Sequence, residues 1–205
     1  MDKVIESLKN GKIVMVCDDQ DRENECDLIC SAENLTNEQM AFFIRYTGGI
    51  VCVPTSKDII DRLNFYPMTN LNTDRHSTAF TVSVDYLHGT TTGISSMDRT
   101  KTIKAITNND SRPDDFQRPG HVFPLLPHSG GLKMRRGHTE ASIELMKLAN
   151  LKEVAVISEL LNEDGSTMCG DKLTDFSKIH NLDMISIEEI YNYLYKIYFY
   201  MQNIS

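Results

Sequence analysis

Asp18-Asp19-Gln20-Asp21-Arg22-Glu23-Asn24-Glu25-Cys26-Asp27 lies between two apolar runs, Ile13-Val14-Met15-Val16 and Leu28-Ile29-Cys30. The runs read as core strands and the stretch between them as the connecting loop. Six carboxylates and one arginine in ten residues repel one another unless a cation offsets them. Carboxylate oxygens suit a hard cation such as Mg²⁺, which keeps several waters and shares its remaining ligands with a phosphorylated substrate. A solvated acidic loop is the alternative. Arg22 and Asn24 interleaved among the acids, and apolar runs at both ends, leave the two readings level at this point.

Outward from the loop, Val4, Ile5 and Leu8 recur at helical spacing before Gly11, which predicts a short first helix. Strands are expected at 13–17 and 28–32. Thr36 to Gln39 has the form of a capping box, opening a helix with Met40, Phe43 and Ile44 on one face that ends at Gly48-Gly49. Ile50 to Pro54 reads as a short buried strand. Residues 56–78 are polar and irregular: a long loop, or a helix and then a loop, of the kind that often carries function. Ala79 to Tyr86 alternates as a strand does. Gly89 to Asp98 is a turn rich in hydroxyls and glycine, with Asp98 placed to cap a helix from Arg99. Residues 107–120 read as a polar loop closed by Arg118-Pro119-Gly120, and His121 to Leu126 as a strand. Arg135-Arg136-Gly137-His138-Thr139 leads into an amphipathic helix, and Glu153 to Leu160 is a core strand. Two helices finish the chain, the second with a capping box at Ser186 to Glu189 and an aromatic face in 190–200. Strands and helices alternate throughout, so one domain over 1–205 is expected, with a mixed sheet covered by helices.

The chain has 205 residues, enough for one sizeable core. Its net charge of −8 disfavours general binding to nucleic acid or an anionic membrane. The N-terminus lacks the apolar core of a signal peptide, and no apolar run approaches the roughly 18 residues of a membrane span. Five cysteines without zinc-type pairing read as reduced thiols in a cytoplasmic protein.

Besides the acidic loop, two groups carry chemistry. Arg135-x-Gly-His-Thr stands at a helix start, where arginine, a close backbone and helix N–H groups suit a phosphate; a capped surface helix is the alternative. His121 and Glu159 are titratable groups at strand edges, of a type more often structural than catalytic. Together the pieces describe a metal-dependent enzyme acting on a phosphorylated sugar.

The stretch 18–28 resembles the signature of the 3,4-dihydroxy-2-butanone 4-phosphate synthase family of riboflavin biosynthesis. Thr78 to Asp85, Thr91 to Ser95 with Asp98-Arg99, Arg118 to Leu125 and Arg135 to Ala141 follow in the family's order, so the resemblance spans about residues 3–190. It implies an α+β fold, a single three-layer α-β-α domain with a mixed twisted sheet. It implies a lyase that converts D-ribulose 5-phosphate to L-3,4-dihydroxy-2-butanone 4-phosphate and formate, with two Mg²⁺ per site and Mn²⁺ as a substitute. It implies a cytoplasmic homodimer with sites near the subunit interface, and a monofunctional enzyme without a fused GTP cyclohydrolase domain. Carried over residue by residue, Glu23 and His138 bind metal. Arg22, Glu23, Asp27, Arg135, Arg136, Gly137, His138, Thr139 and Glu159 contact substrate, and His121 and Glu159 are catalytic. Cys52, Thr91 and Thr92 line the site, and Glu25 is close enough to help as a carboxylate beyond the metal's own ligands or as a proton acceptor. Two positions depart from the signature: Gln20 replaces a glutamate and Cys26 a glycine. An enzyme of another sugar-phosphate reaction, or a binding module that has lost turnover through these two changes, stays open as an alternative.

Overall fold

The computed structural model describes residues 1–19 and 21–204, with side chains up to residue 196. The expectations for Gln20, and for the aromatic face beyond residue 196, lie outside the described residues. Seven helices and seven strands are described: α1 (Asp2–Lys9), β1 (Val14–Cys17), β2 (Cys26–Ser31), α2 (Asn37–Tyr46), β3 (Cys52–Pro54), α3 (Lys57–Arg62), β4 (Val84–Tyr86), α4 (Ser96–Thr107), β5 (Phe116–Leu125), α5 (His138–Leu148), β6 (Ala155–Glu159), α6 (Asp171–His180), β7 (Asp183–Ser186) and α7 (Ile187–Ile204).

The strands form one sheet in the order β4-β5-β3-β6-β2-β1-β7. Its pairings are mixed: β1–β2, β2–β6, β3–β6 and β4–β5 are antiparallel, β1–β7 and β3–β5 parallel. Alternate strand residues serve opposite faces. Met15, Leu28, Cys30 and Val156 pack into one cluster with Met40 and Phe43 of α2, Ile103 and Ile106 of α4 and Phe176 of α6. Val14, Val16, Ile29 and Ile157 pack into the other with Leu8 of α1, Ala141 and Leu145 of α5 and Ile190 of α7. The result is the three-layer α+β arrangement expected.

The capping box of α2 is complete: Gln39 N donates to Thr36 Oγ1 at 3.2 Å, and Thr36 N to Gln39 Oε1 at 3.0 Å. The end of the chain has its counterpart, with Ser186 and Glu189 bonded reciprocally.

Several expectations need correction. The cap of α4 is Ser95, whose Oγ accepts from Asp98 N at 3.1 Å. Asp98 instead turns its carboxylate back on the preceding turn. The ladder of β4 begins at Val84, not Ala79; Phe80 and Thr81 make only isolated bridges. Residues 116–120, read as loop, belong to β5. Asp85 pairs with Gln117 and its neighbour Val84 with Val122, so Arg118 to His121 bulge out of the ladder, and a bulge accommodates the proline. No strand was expected at 183–186, a short segment that pairs with β1 at the sheet edge.

The reading of all five cysteines as reduced thiols is also corrected. A disulfide joins Cys17 to Cys26. The two are opposite one another in the β1–β2 register. The next pair outward carries the ladder bond, Asp18 N to Glu25 O at 3.1 Å. Cys17 and Cys26 are therefore a non-hydrogen-bonded pair, where facing side chains come closest. Spacing along the sequence does not reveal such a pair; register does.

Thr36→Ala removes the hydroxyl half of the α2 box and should lower stability by about 1 kcal/mol. Urea denaturation with an unchanged midpoint would contradict this.

Candidate active site

The acidic loop is wound around Asp18. Its carboxylate, 1% exposed, accepts from Glu25 N at 2.9 Å, Glu23 N at 3.2 Å and Arg22 Nη1 at 2.8 Å. Asn24 takes a positive φ of 55°, a conformation asparagine tolerates. The folded loop carries Glu23 and Glu25 back over the end of β2. Asp27 on β2 then sits opposite Glu159 on β6 in register. These carboxylates face the α5 side of the sheet.

The N-terminus of α5 closes the other wall. Gly137 is its N-cap and supplies no side-chain cap, which leaves the first-turn N–H groups suited to an anion. Arg135 is held just before it. Its Nη1 donates to Glu140 Oε2 at 2.6 Å, Nη2 to Thr78 Oγ1 at 2.8 Å and Nε to His76 O at 2.9 Å. A side chain at Gly137 would collide with Arg135. His138 is buried and its Nε2 lies 3.1 Å from the Val16 carbonyl. A carbonyl only accepts, so Nε2 is the donor here and Nδ1 is the ring nitrogen left to meet another partner.

Arg22, Glu23, Glu25, Asp27, Cys52, Arg135, His138, Thr139 and Glu159 line one cavity of about 240 Å³. A larger cleft of about 610 Å³, around Lys3 and Asp183, holds none of these residues. One ligand atom from each of Asp18, Glu23 and His138 lies within 4.8 Å of the others, and two carboxylates with an imidazole make a donor set that suits Mg²⁺ or Mn²⁺. Arg22 Nη1 also contacts Glu23, and His76 Nε2 approaches Glu23 at 3.6 Å.

Crowding shows in the acidities. Burial, then Glu159, Glu23, Asp27 and Asp18, raise Glu25 from 4.5 to about 8. Burial raises Asp27 from 3.8 to about 6; His138 opposes the rise, while Glu159, Glu23 and Asp18 add to it. Burial, with Asp27 nearby, pushes the Cys52 thiol up to about 12, so this thiol is not an ionised nucleophile at neutral pH.

Five expected residues stand apart from the cavity lining: Arg136, Gly137, His121, Thr91 and Thr92. Arg136 is exposed and stacks on Tyr191 at 4.0 Å. His121 belongs to a second cluster, where Asp85 Oδ1 accepts from His121 N at 2.9 Å and Oδ2 meets Nδ1 at 2.6 Å. Thr91 is in the same region: its N and Oγ1 donate to Asp98 at 3.1 and 2.6 Å. The Thr91 hydroxyl and the backbone N–H groups of Thr91 and Gly93 hold the Asp98 carboxyl below its ordinary range, against the opposing effect of burial. A side chain at Gly93 would collide with both Asp85 and His121.

Two residues were not singled out in sequence. Asp18 is the first acid after the strand, and its backbone partners five and seven residues on are the only local signal. His76, within the irregular segment 56–78, offered none.

The model of the 3,4-dihydroxy-2-butanone 4-phosphate synthase family matches residues 2–193. The chain is 46% identical over 197 residues to the 3,4-dihydroxy-2-butanone 4-phosphate synthase of Candida albicans, covering 96% of this chain and 97% of that protein. It is 46% identical over 204 residues to the enzyme of the same name from Saccharomyces cerevisiae, covering 96% and 98%. A crystal structure of a 3,4-dihydroxy-2-butanone 4-phosphate synthase in complex with two magnesium ions superposes with a TM-score of 0.91 at 42% identity, over 95% of this chain and 96% of that one.

A carboxyl whose folded pKa is raised binds its proton more tightly in the folded chain. Its contribution to stability is full below the ordinary pKa and is lost as pH rises through the folded value. Without divalent cation, the melting temperature should therefore fall between about pH 4 and 8, the window set by Asp27 and Glu25. Added Mg²⁺ should raise it more at about pH 8 than at about pH 5.5, and Glu25→Gln should flatten the slope. Thermal melts that stay level or rise across this window would contradict the crowding.

Proposed function

Because the chain belongs to the 3,4-dihydroxy-2-butanone 4-phosphate synthase family, we infer that it converts D-ribulose 5-phosphate to L-3,4-dihydroxy-2-butanone 4-phosphate and formate, a lyase step of riboflavin biosynthesis. The observation that carries this reading is the meeting of the acidic loop and the α5 N-terminus in one cavity. One wall suits a cation and sugar oxygens, the other a phosphate. At about 240 Å³ the cavity is small enough for a pentose phosphate.

Glu23 and His138 would hold Mg²⁺, with Asp18 as a further ligand, two ions per site and Mn²⁺ as a substitute. When bound, the metal polarises substrate oxygens and acidifies neighbouring C–H groups. Arg135 and the N–H groups of His138 and Thr139 orient the phosphate end. Arg22 neutralises Asp18 and Glu23 and keeps the loop folded onto the sugar.

The reaction needs a proton removed at C3, water lost from C1, a skeletal rearrangement and departure of C4 as formate. Such a route requires groups that take and return protons near neutral pH. Asp27, at about 6, and its cross-strand partner Glu159 would carry this exchange. Glu25, at about 8, would serve as a proton donor.

His121 completes the site from a second copy of the chain. Asp85 fixes its Nδ1 as donor and leaves Nε2 to accept a proton. His121 is not among the residues lining its own chain's cavity. Ile50 lines the cavity and is 58% exposed, and Ile94 and Met97 are 50% and 55% exposed; Arg99 ties the segments that carry them together through the Ile94 and Gly49 carbonyls. Two-fold pairing through this apolar face would give each copy's His121, Thr91 and Thr92 to the other's cavity. The working unit is thus a homodimer of single-domain chains. A cytoplasmic setting is the expected one for this pathway step.

Glu23→Ala and His138→Ala should each abolish formate release, and Arg135→Ala should chiefly raise KM. Mixing Glu23→Ala with His121→Ala subunits should restore about a quarter of the wild-type rate, because half the dimers then carry one intact site of two. Failure of the mixture to recover activity after subunit exchange would contradict the shared site, and near-normal rates for Glu23→Ala would contradict the metal assignment.

A further inference from the structure

The Cys17–Cys26 pair stands outside the chemistry above, yet it closes the base of the acidic loop. Cys17 is the residue before Asp18, and Cys26 is the residue before Asp27. The disulfide and the Asp18–Glu25 ladder bond together seal the neck of the loop. Both cysteines pack into the cluster on the α2 side of the sheet, whereas Asp27 and its cross-strand neighbour Glu159 face the cavity on the α5 side. The bond therefore acts on the site from behind, through the backbone, without occupying it.

The pair is accessible from one end. Cys26 is fully buried, and Cys17 is only half-buried. Thiol–disulfide exchange requires in-line access to one sulfur, and Cys17 is the more exposed residue of the two. Among the other cysteines, Cys30 and Cys52 are buried and free, and Cys169 is exposed and remote in sequence.

We propose that Cys17 and Cys26 form a redox modification site, a reversible disulfide exchanged with small disulfides and thiols, whose closure preorganises the acidic loop for divalent cation. In the oxidising direction a Cys17 thiolate attacks a small linear disulfide and expels one thiolate. The Cys26 thiolate then displaces the second from Cys17, so that two thiols lose two electrons and two protons and the small disulfide gains them. In the reducing direction a small thiolate attacks Cys17 Sγ, Cys26 leaves as thiolate and is protonated, and a second thiol resolves the mixed disulfide. Asp18 organises Arg22, Glu23 and Glu25 through its carboxylate. Releasing the neck frees Asp18 and Glu23 to lose alignment, and binding must then supply the ordering.

The inference rests on the metal reading of the loop, and the experiment separates the two. Protein equilibrated with bis(2-hydroxyethyl) disulfide or with 2-mercaptoethanol is alkylated, digested with trypsin and mapped by mass spectrometry. Cleavage after Lys12, Arg22 and Arg45 places Cys17 in peptide 13–22 and Cys26, together with Cys30, in peptide 23–45; the disulfide links the two peptides, and fragmentation assigns the bond to Cys26. Mg²⁺ binding to both forms is then measured by calorimetry. The thiol form should bind Mg²⁺ about two- to tenfold more weakly, the scale of one or two newly mobile side chains. Cys17→Ser should behave as the thiol form under either treatment; should that variant fail to fold, the two forms of the natural chain still decide. Absence of the linked peptides, or equal Mg²⁺ affinity in both forms, overturns the proposal. Absence of Mg²⁺ binding in both forms, with the disulfide mapped, overturns the metal reading and the coupling with it.

Discussion

Repulsion among carboxylates governs this structure. Asp18, Glu23, Glu25, Asp27 and Glu159 converge where the β1–β2 loop meets the β2–β6 ladder, and burial there removes the water that would otherwise screen them. The chain meets part of this cost itself: Asp18 spends its oxygens on backbone N–H groups, and Arg22 lies between Asp18 and Glu23. Burial first, and these neighbouring carboxylates after it, raise the proton affinity of Glu25 and Asp27. A divalent cation would relieve the repulsion more fully than a proton, because one ion answers several carboxylates at once. Carboxylates left this close without a structural need are expensive, and the expense marks a site.

The rest of the fold keeps that convergence in place. Burial on both sheet faces pins β1, β2 and β6, so the acids project from rigid strands. Helix α5 packs Ala141, Leu145 and Met146 into the same face, which brings its N-terminus and His138 up to the end of β1. Glu140, almost fully buried, ties Arg135 to the helix and accepts from His128 N. A second group is prepared with equal care at the β4–β5 bulge, where Asp85 orients His121 beside a glycine that has no room for a side chain.

Much of this was readable from residues. The apolar runs about the acidic loop fixed two neighbouring strands, and the Thr36–Gln39 and Ser186–Glu189 boxes marked helix starts through local hydrogen bonding. The start of α5 followed from glycine and hydroxyl chemistry. What escaped was non-local. The strand at 183–186 exists because β1 offers it an edge. The Arg118-Pro119-Gly120 stretch looks like a breaker until a bulge absorbs it. The Cys17–Cys26 pair depends on register, and the separation of His121 from the cavity depends on how strands order in the sheet. The residue types of the site were thus legible, and its partition into two clusters was not.

The most direct test of the central account follows the carbon that leaves. Purified protein is given ribulose 5-phosphate labelled with ¹³C at C4, with Mg²⁺ and then with EDTA, and products are read by NMR. The account predicts labelled formate that appears with Mg²⁺ and ceases on chelation. Label retained in a sugar phosphate, or formate released equally with chelator present, would contradict it.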